Sequence, residues 1–433
     1  MSVPSAYWFS PTPSELSSSR LSLDFGLRAA DLFFRELVVP GLGRIWFVRQ
    51  LSWPLAALAV RESMREQRYN APRATVICHA IEALACKLEY CYGDRDSRRV
   101  LGKRAFGREE EVAVWAFDGL RQPAHYVRNT HRQAATRALR MDSGLGFAEG
   151  SRFDLLRLTP IGRGIADAFL AQRVGQGGAS LRQWLIAWIR GENDIPEQPN
   201  SLARALSPEH QNPTQGERDL VRARVLEVET PACVTRKRLA HVIGNGANLP
   251  DIEHMIVPRL RDADHKKQAD EILAARSFGA MLDRMRDVVA ALTGVVEPGR
   301  GAVAIIHLVR DPKVNEALEH LTQAAKNFVE RADIAAITEP TSRTFARAFL
   351  NADGAARIRL LVDRADQMLS LSDQSVIRGA LFRVIAGADS DDDLDEPDRM
   401  RRQPGVDPLG TKRSFRLSNL HSLLRDTQRG AAG

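Results

Sequence analysis

Apolar residues recur along most of this chain at spacings of three and four, the period of a helix with one face turned inward. From Leu21 to Glu62 the pattern predicts two apolar helices, broken at Pro40-Gly41 and bent at Pro54. Leu23, Phe25, Leu27, Leu32, Phe33 and Leu37 supply the first face; Ile45, Trp46, Val48, Leu51, Trp53 and Leu55 supply the second. A third helix is expected over Ala71–Tyr92, and a short one over Ser180–Arg190. Beyond Gly216 the chain reads as almost all helix: 217–229, 234–243 with Thr235 as its cap, and long helices over 251–292. Further helices are expected over 313–332, 342–351, 355–369 and 373–386. Only the run Ala302–Val309, after a Gly/Pro break, is strand-like in composition. The predicted fold class is therefore mainly α, with a helical bundle or array in the C-terminal half.

One stretch, Asn129–Gln172, has a different rhythm: helix, turn, strand, tight turn, strand, helix. Thr130 can cap a helix, because a hydroxyl accepts a bond from a free N–H of the first turn. The run HRQAATRALR that follows holds good helix formers and no Gly or Pro. If Ala134, Ala138 and Leu139 turn inward, then His131, Arg132, Gln133, Arg137 and Arg140 lie on the outer surface or its shoulders. Such side chains carry donors that suit phosphate oxygens and base edges. Gly144 and Gly146 end the helix, and Glu149-Gly150-Ser151-Arg152 suits a hairpin tip between alternating apolar positions. Thr159-Pro160 then marks a helix start, a capping hydroxyl followed by Pro at the first helical position.

The order of these elements, together with Leu158-Thr159-Pro160-Ile161-Gly162-Arg163, resembles the winged-helix fold of bacterial transcription regulators. There a turn of the form LTPxGR joins the wing to the last helix. The resemblance covers about residues 109–172, with Glu109–Trp115 and Leu120–Val127 as its first two helices. It implies DNA contact by the helix Thr130–Arg140 and by Arg152 at the wing tip, reaching a backbone or minor groove. Winged helices also serve as protein-binding modules.

Punctuation suggests the domain plan. Residues 1–20, rich in Ser and Pro, are expected to be irregular, followed by an N-terminal domain over 21–190. The basic link Gly93–Arg108 could line a phosphate backbone or be a solvated loop. Val174–Gly178 lacks a preceding strand and the Lys-Ser/Thr of a phosphate loop and reads as a hinge. Residues 191–216 are polar, carry four prolines and are expected to be a linker. An all-helical domain is expected over 217–387, and a flexible acidic–basic linker over 388–413. In 414–433, Phe415, Leu417, Leu420, Leu423 and Leu424 make an amphipathic segment suited to a groove on this chain or on another subunit.

Charge and chemistry narrow the picture only a little. The chain has 433 residues, a net charge of +7 and an isoelectric point near 9.5. Its Arg-rich composition fits a GC-rich bacterial genome as well as a nucleic-acid binder. No basic start precedes an apolar run, and Ile45–Val60 is interrupted by Arg49 and Pro54. A soluble cytoplasmic protein without membrane association is expected. Cys78, Cys86, Cys91 and Cys233 form no CxxC pair and read as reduced, packed thiols. Asp391-Asp392-Asp393 reads as a solvated run. No catalytic motif, metal site or cofactor is expected. The functional expectation is a non-enzymatic DNA-binding protein, a regulator or DNA-sensing subunit contacting double-stranded DNA through Thr130, His131, Arg132, Gln133, Arg137, Arg140 and Arg152. The alternative is a helical scaffold or adaptor in a larger assembly, for example in phage defence, with protein partners engaged through 414–433.

Overall fold

The computed structural model describes residues 25–93, 100, 102, 106, 114–123, 126, 130–174, 178–193, 199–208, 210–244, 249–296, 301–365, 368–379 and 415–428. In chain order, α1 (Arg28–Val38), α2 (Arg49–Glu66), α3 (Ala74–Tyr92), the short α4 (Phe117–Leu120) and α5 (His131–Leu139) come first. The hairpin β1 (Ala148–Glu149) and β2 (Arg157–Leu158) leads to α6 (Pro160–Leu170). A second hairpin, β3 (Arg173–Val174) and β4 (Ala179–Ser180), leads to α7 (Leu181–Ile189) and α8 (Pro199–Leu206). Then follow α9 (Gln215–Leu226), α10 (Pro231–Ile243), α11 (Leu249–Asp262) and α12 (Lys266–Val295). After β5 (Val303–Ala304) come α13 (Ile305–Arg310), α14 (Pro312–Ile334), α15 (Pro340–Asn351) and α16 (Gly354–Arg364). β6 (Leu369–Ser372), β7 (Ser375–Arg378) and α17 (Leu417–Gln428) complete the order. The fold is mainly α, and no helix among the described residues is long and apolar enough to cross a membrane.

Contacts divide the chain into two compact units. The larger holds 32–280, 328–338 and 389–433; the smaller holds 1–31, 281–327 and 339–388. The larger runs straight through 191–216, the expected linker. Residues 199–206 there form a helix, because Leu202, Ala203, Ala205 and Leu206 bury one face. Pro199 occupies the helix's start, where a missing N–H costs nothing; the density of prolines was misleading for that reason.

At the centre of the larger unit lies α2. It packs against α3, α5, α6 and α7, and Arg49 to Val60 are buried without interruption. Its Leu and Ala content favours a helix, and Pro54 sits inside it without ending it. A helix buried all round must have its polar groups answered by the protein. Arg49 Nη1 donates to the carbonyls of Arg204 (2.9 Å) and Ser207. Ser52 Oγ donates to Glu217 Oε1 at 2.6 Å, and Trp53 Nε1 to the Leu206 carbonyl at 3.1 Å. At the helix start Val48 N donates to Asp426 Oδ2 at 2.8 Å. The C-terminal segment thus docks within its own unit, with Phe415, Leu417, Leu420, Leu423 and Leu424 all buried.

In the smaller unit, β5, β7 and β6 form an antiparallel sheet in that order, inside the region expected to be all helix. The helix expected over 373–386 is absent where the chain is described. Asp373 takes a positive φ of 51° at a two-residue turn, and β-branched Val376 and Ile377 lie in the returning strand β7; residues 380–386 lie outside the described residues. The strand-like run 302–309 contributes two residues to β5 and then becomes α13. Arg364 Nη1 donates to the Phe25 carbonyl at 2.7 Å, and Arg357 Nη1 to Thr322 Oγ1 at 3.1 Å.

The centrality of α2 has a direct consequence. Trp53→Ala should cost about 3–5 kcal/mol, lowering the urea midpoint without changing its slope. A loss below about 1 kcal/mol would mean that α2 does not organise the unit.

Candidate nucleic-acid interface

Helix α5 is positioned from both ends and from below. Thr130 is extended at its start, and Thr130 Oγ1 accepts from Gln133 N at 3.4 Å. Glu82, reaching across from the middle of α3, accepts from Arg132 N through Oε1 at 2.6 Å. Two of the otherwise orphaned N–H groups of the first turn are met in this way. Underneath, His131, Ala135, Ala138 and Leu139 are buried. At the far end Leu145 N donates to the Ala138 carbonyl at 2.6 Å, and Arg140 forms a bridge with Ala148 of β1.

The Leu158–Arg163 turn then fastens the hairpin to α6. Thr159 Oγ1 donates to the Gly146 carbonyl at 3.0 Å and accepts from Gly162 N at 3.2 Å. Pro160 takes the first helical position. Position 162 must be glycine, since a Cβ there would collide with the Phe147 carbonyl. Arg163 Nη2 pairs with Glu62 of α2 at 2.6 Å. The hairpin tip folds down instead of projecting. Asp154 Oδ1 accepts from Thr75 N at the start of α3 (2.8 Å), and the Asp154 carbonyl accepts from Arg61 (2.8 Å).

The seven residues expected to meet DNA fall into three groups. Thr130 and His131 are buried, contrary to the expectation for His131. His131 is enclosed by Trp46, Phe47 and Trp53, with ring centroids 5.3–5.6 Å away. Gln133 and Arg152 are exposed. Arg132, Arg137 and Arg140 are half-exposed and engaged. The Arg132 guanidinium lies over the Phe153 ring at 5.3 Å, Arg137 Nε pairs with Glu36 Oε1 at 2.9 Å, and Arg140 Nε donates to Asp142 at 3.0 Å. The outer face of α5 is thus Arg132, Gln133, Thr136 and Arg140; Arg73 at the start of α3 and Arg152 and Arg157 of the hairpin are exposed.

The helices expected to precede α5, Glu109–Trp115 and Leu120–Val127, lie mostly outside the described residues. Only the four-residue α4 is present between 114 and 123, and residues 107–113, 124–125 and 127–129 lie outside them. The supports are α2 and α3. Sequence reasoning also missed Glu36, Glu82 and Asp142, the carboxylates that hold this surface. For Glu82 a signal existed: an acidic residue within the apolar run CHAIEALAC, on the face shared with Ile81 and Ala85. The flanks of the Gly-rich joint at 175–178, read as a hinge, pair as the β3–β4 hairpin. The four cysteines are free, and the described residues contain no group of three or more candidate metal ligands. No family model, curated protein or solved structure matches this chain.

Burial pushes the Glu82 carboxyl from 4.5 up to about 7, against the hydrogen bonds from Cys78, Arg132 and His131 and the nearby Arg132 charge. An acid that holds its proton more tightly when folded stabilises most below its unfolded value, and loses that contribution as pH rises through its folded value. Glu82→Gln should therefore flatten the stability–pH curve between 4.5 and about 7 while keeping an acceptor for Arg132 N. Glu82→Ala should cost about 1–3 kcal/mol at pH 6, because a buried N–H loses its partner. Chemical unfolding of the three proteins across this pH range decides it; an unchanged slope in Glu82→Gln contradicts the assignment.

Proposed function

We propose that α5 and the β1–β2 hairpin act as a winged-helix unit binding double-stranded DNA, and that the protein is a non-enzymatic regulator or DNA-sensing subunit. The observation that carries this reading is the outer face of α5. Arg132, Gln133 and Arg140 lie on a helix fixed by Glu82, Thr130 and a buried inner face, and Arg132 reaches the Phe153 ring of a hairpin that carries exposed Arg152 and Arg157. Gln133, near the helix start, has the donor–acceptor pair that reads a base edge. Arg140 and Arg152 are placed for phosphates, and Arg132, stacked on Phe153, is pre-oriented for either. Thr130 and His131 support the helix and do not touch DNA.

A second reading takes support from two exposed apolar side chains. Leu155, 64% exposed on the hairpin, and Met141, 50% exposed beyond α5, suit a protein partner. In that case the protein is an adaptor and the unit a protein-binding module.

A salt titration separates the two. The wild-type chain should bind a mixed duplex with affinity falling steeply as salt rises, since each phosphate contact contributes about 0.9 to the log–log slope. Arg132→Gln/Arg140→Gln/Arg152→Gln should reduce that slope by about 2–3 with unchanged thermal unfolding. Wild-type binding at low salt that the triple variant retains in full would remove α5 from the interface. Absence of any binding favours the adaptor reading.

A further inference from the structure

The segment 415–428 is held in an unusual way. Its leucines fill a groove made by α9, α10 and α11, which ordinarily signals a permanent core element. Its polar side chains say otherwise. Arg416, Ser418, Asn419, His421, Asp426 and Thr427 are all buried with it. Arg416 Nε, Asn419 Nδ2 and His421 Nε2 have no hydrogen-bond partner among the described residues. Each of these atoms gives up water on docking and receives nothing in return. The backbone adds strain. Phe415 and Arg416 are consecutive non-glycine residues at positive φ, 45° and 70°, a conformation that bulky side chains rarely adopt. Apolar burial therefore works against three unmet polar groups and two strained residues, all within fourteen positions. Such a balance opens at a lower free energy than α2, which is buried without interruption from Arg49 to Val60.

What the segment grips connects it to α5. Arg416 Nη1 pairs with Glu36 Oε1, the same oxygen that Arg137 Nε of α5 approaches at 2.9 Å. Glu36 Oε2 accepts from Gly41 N at 2.8 Å, so the carboxylate stays in place whatever the two guanidiniums do. While the segment is docked, one carboxylate is divided between two arginines. When it is absent, that carboxylate belongs to Arg137 alone.

We propose that residues 415–428 form a releasable helical latch whose docking in the α9–α11 groove shares Glu36 with Arg416 and thereby loosens the hold of Glu36 on Arg137 of α5, making Arg137 easier for an anionic partner to recruit. The coupling to DNA rests on the reading of α5 given above; the release of the helix does not. Docked, the chain leaves Arg137 half-exposed on a carboxylate that it shares with Arg416. Released, it withdraws Arg137 into a full ion pair and opens an apolar, helix-shaped groove.

Hydrogen exchange on the full chain tests the release. Amides of 417–428 should exchange through an opening at least about a hundredfold more frequent than that of 49–60. Arg416→Gln should raise the opening of 417–428 further and leave 49–60 unchanged. Exchange of 417–428 in step with 49–60 overturns the latch. Duplex DNA tests the coupling. Arg416→Gln should weaken binding several-fold, and Glu36→Gln added to it should restore binding by releasing Arg137. If Arg416→Gln binds DNA as wild type does, the coupling through Glu36 is wrong. If the wild-type chain binds no duplex at all, the DNA reading of α5 fails, and the exchange measurement still decides the latch.

Discussion

The structure depends on keeping one helix dry. Arg49 to Val60 of α2 are buried on every side, and such a helix is stable only if its few polar groups are met without water. Arg49 Nη1, Ser52 Oγ, Trp53 Nε1 and the Val48 N–H are met by residues far away in the chain: the carbonyls of Arg204, Leu206 and Ser207, the carboxylate of Glu217, and Asp426 at the helix start. This requirement pulls α8, α9 and α17 onto the same core that α3, α5, α6 and α7 line. The larger unit is gathered around one helix for that reason, although its sequence looks interrupted near residue 200.

The candidate interface inherits its rigidity from this core. α5 is short, and nine residues make a marginal helix alone. It is stable because Glu82 and Thr130 satisfy its first turn and because His131 is lodged among Trp46, Phe47 and Trp53. Here Glu36 and Asp142 restrain Arg137 and Arg140, leaving both half-exposed.

What the sequence reveals is local. The capping threonines at 130 and 159, Pro160 and the apolar spacing of 415–424 are read correctly because each is decided by neighbours within a few positions. Long-range decisions are not readable in that way. His131 reads as a donor on an outer face, and only the aromatics of 46–53, some eighty positions earlier, turn it inward. Residues 199–206 read as linker until Trp53 and Arg49 claim their carbonyls. Val376 and Ile377 read as helix until a tight turn at Asp373 pairs them with Leu371 and Ser370.

The most direct test of the account is photo-crosslinking from α5. A photoreactive group at position 133 of the full chain, exposed on the outer face, should crosslink to bound duplex DNA in a salt-sensitive manner. The same group at Glu227, an exposed site at the end of α9, should not. Crosslinking from 227 but not from 133, or from both alike, contradicts the claim that this face of α5 meets DNA.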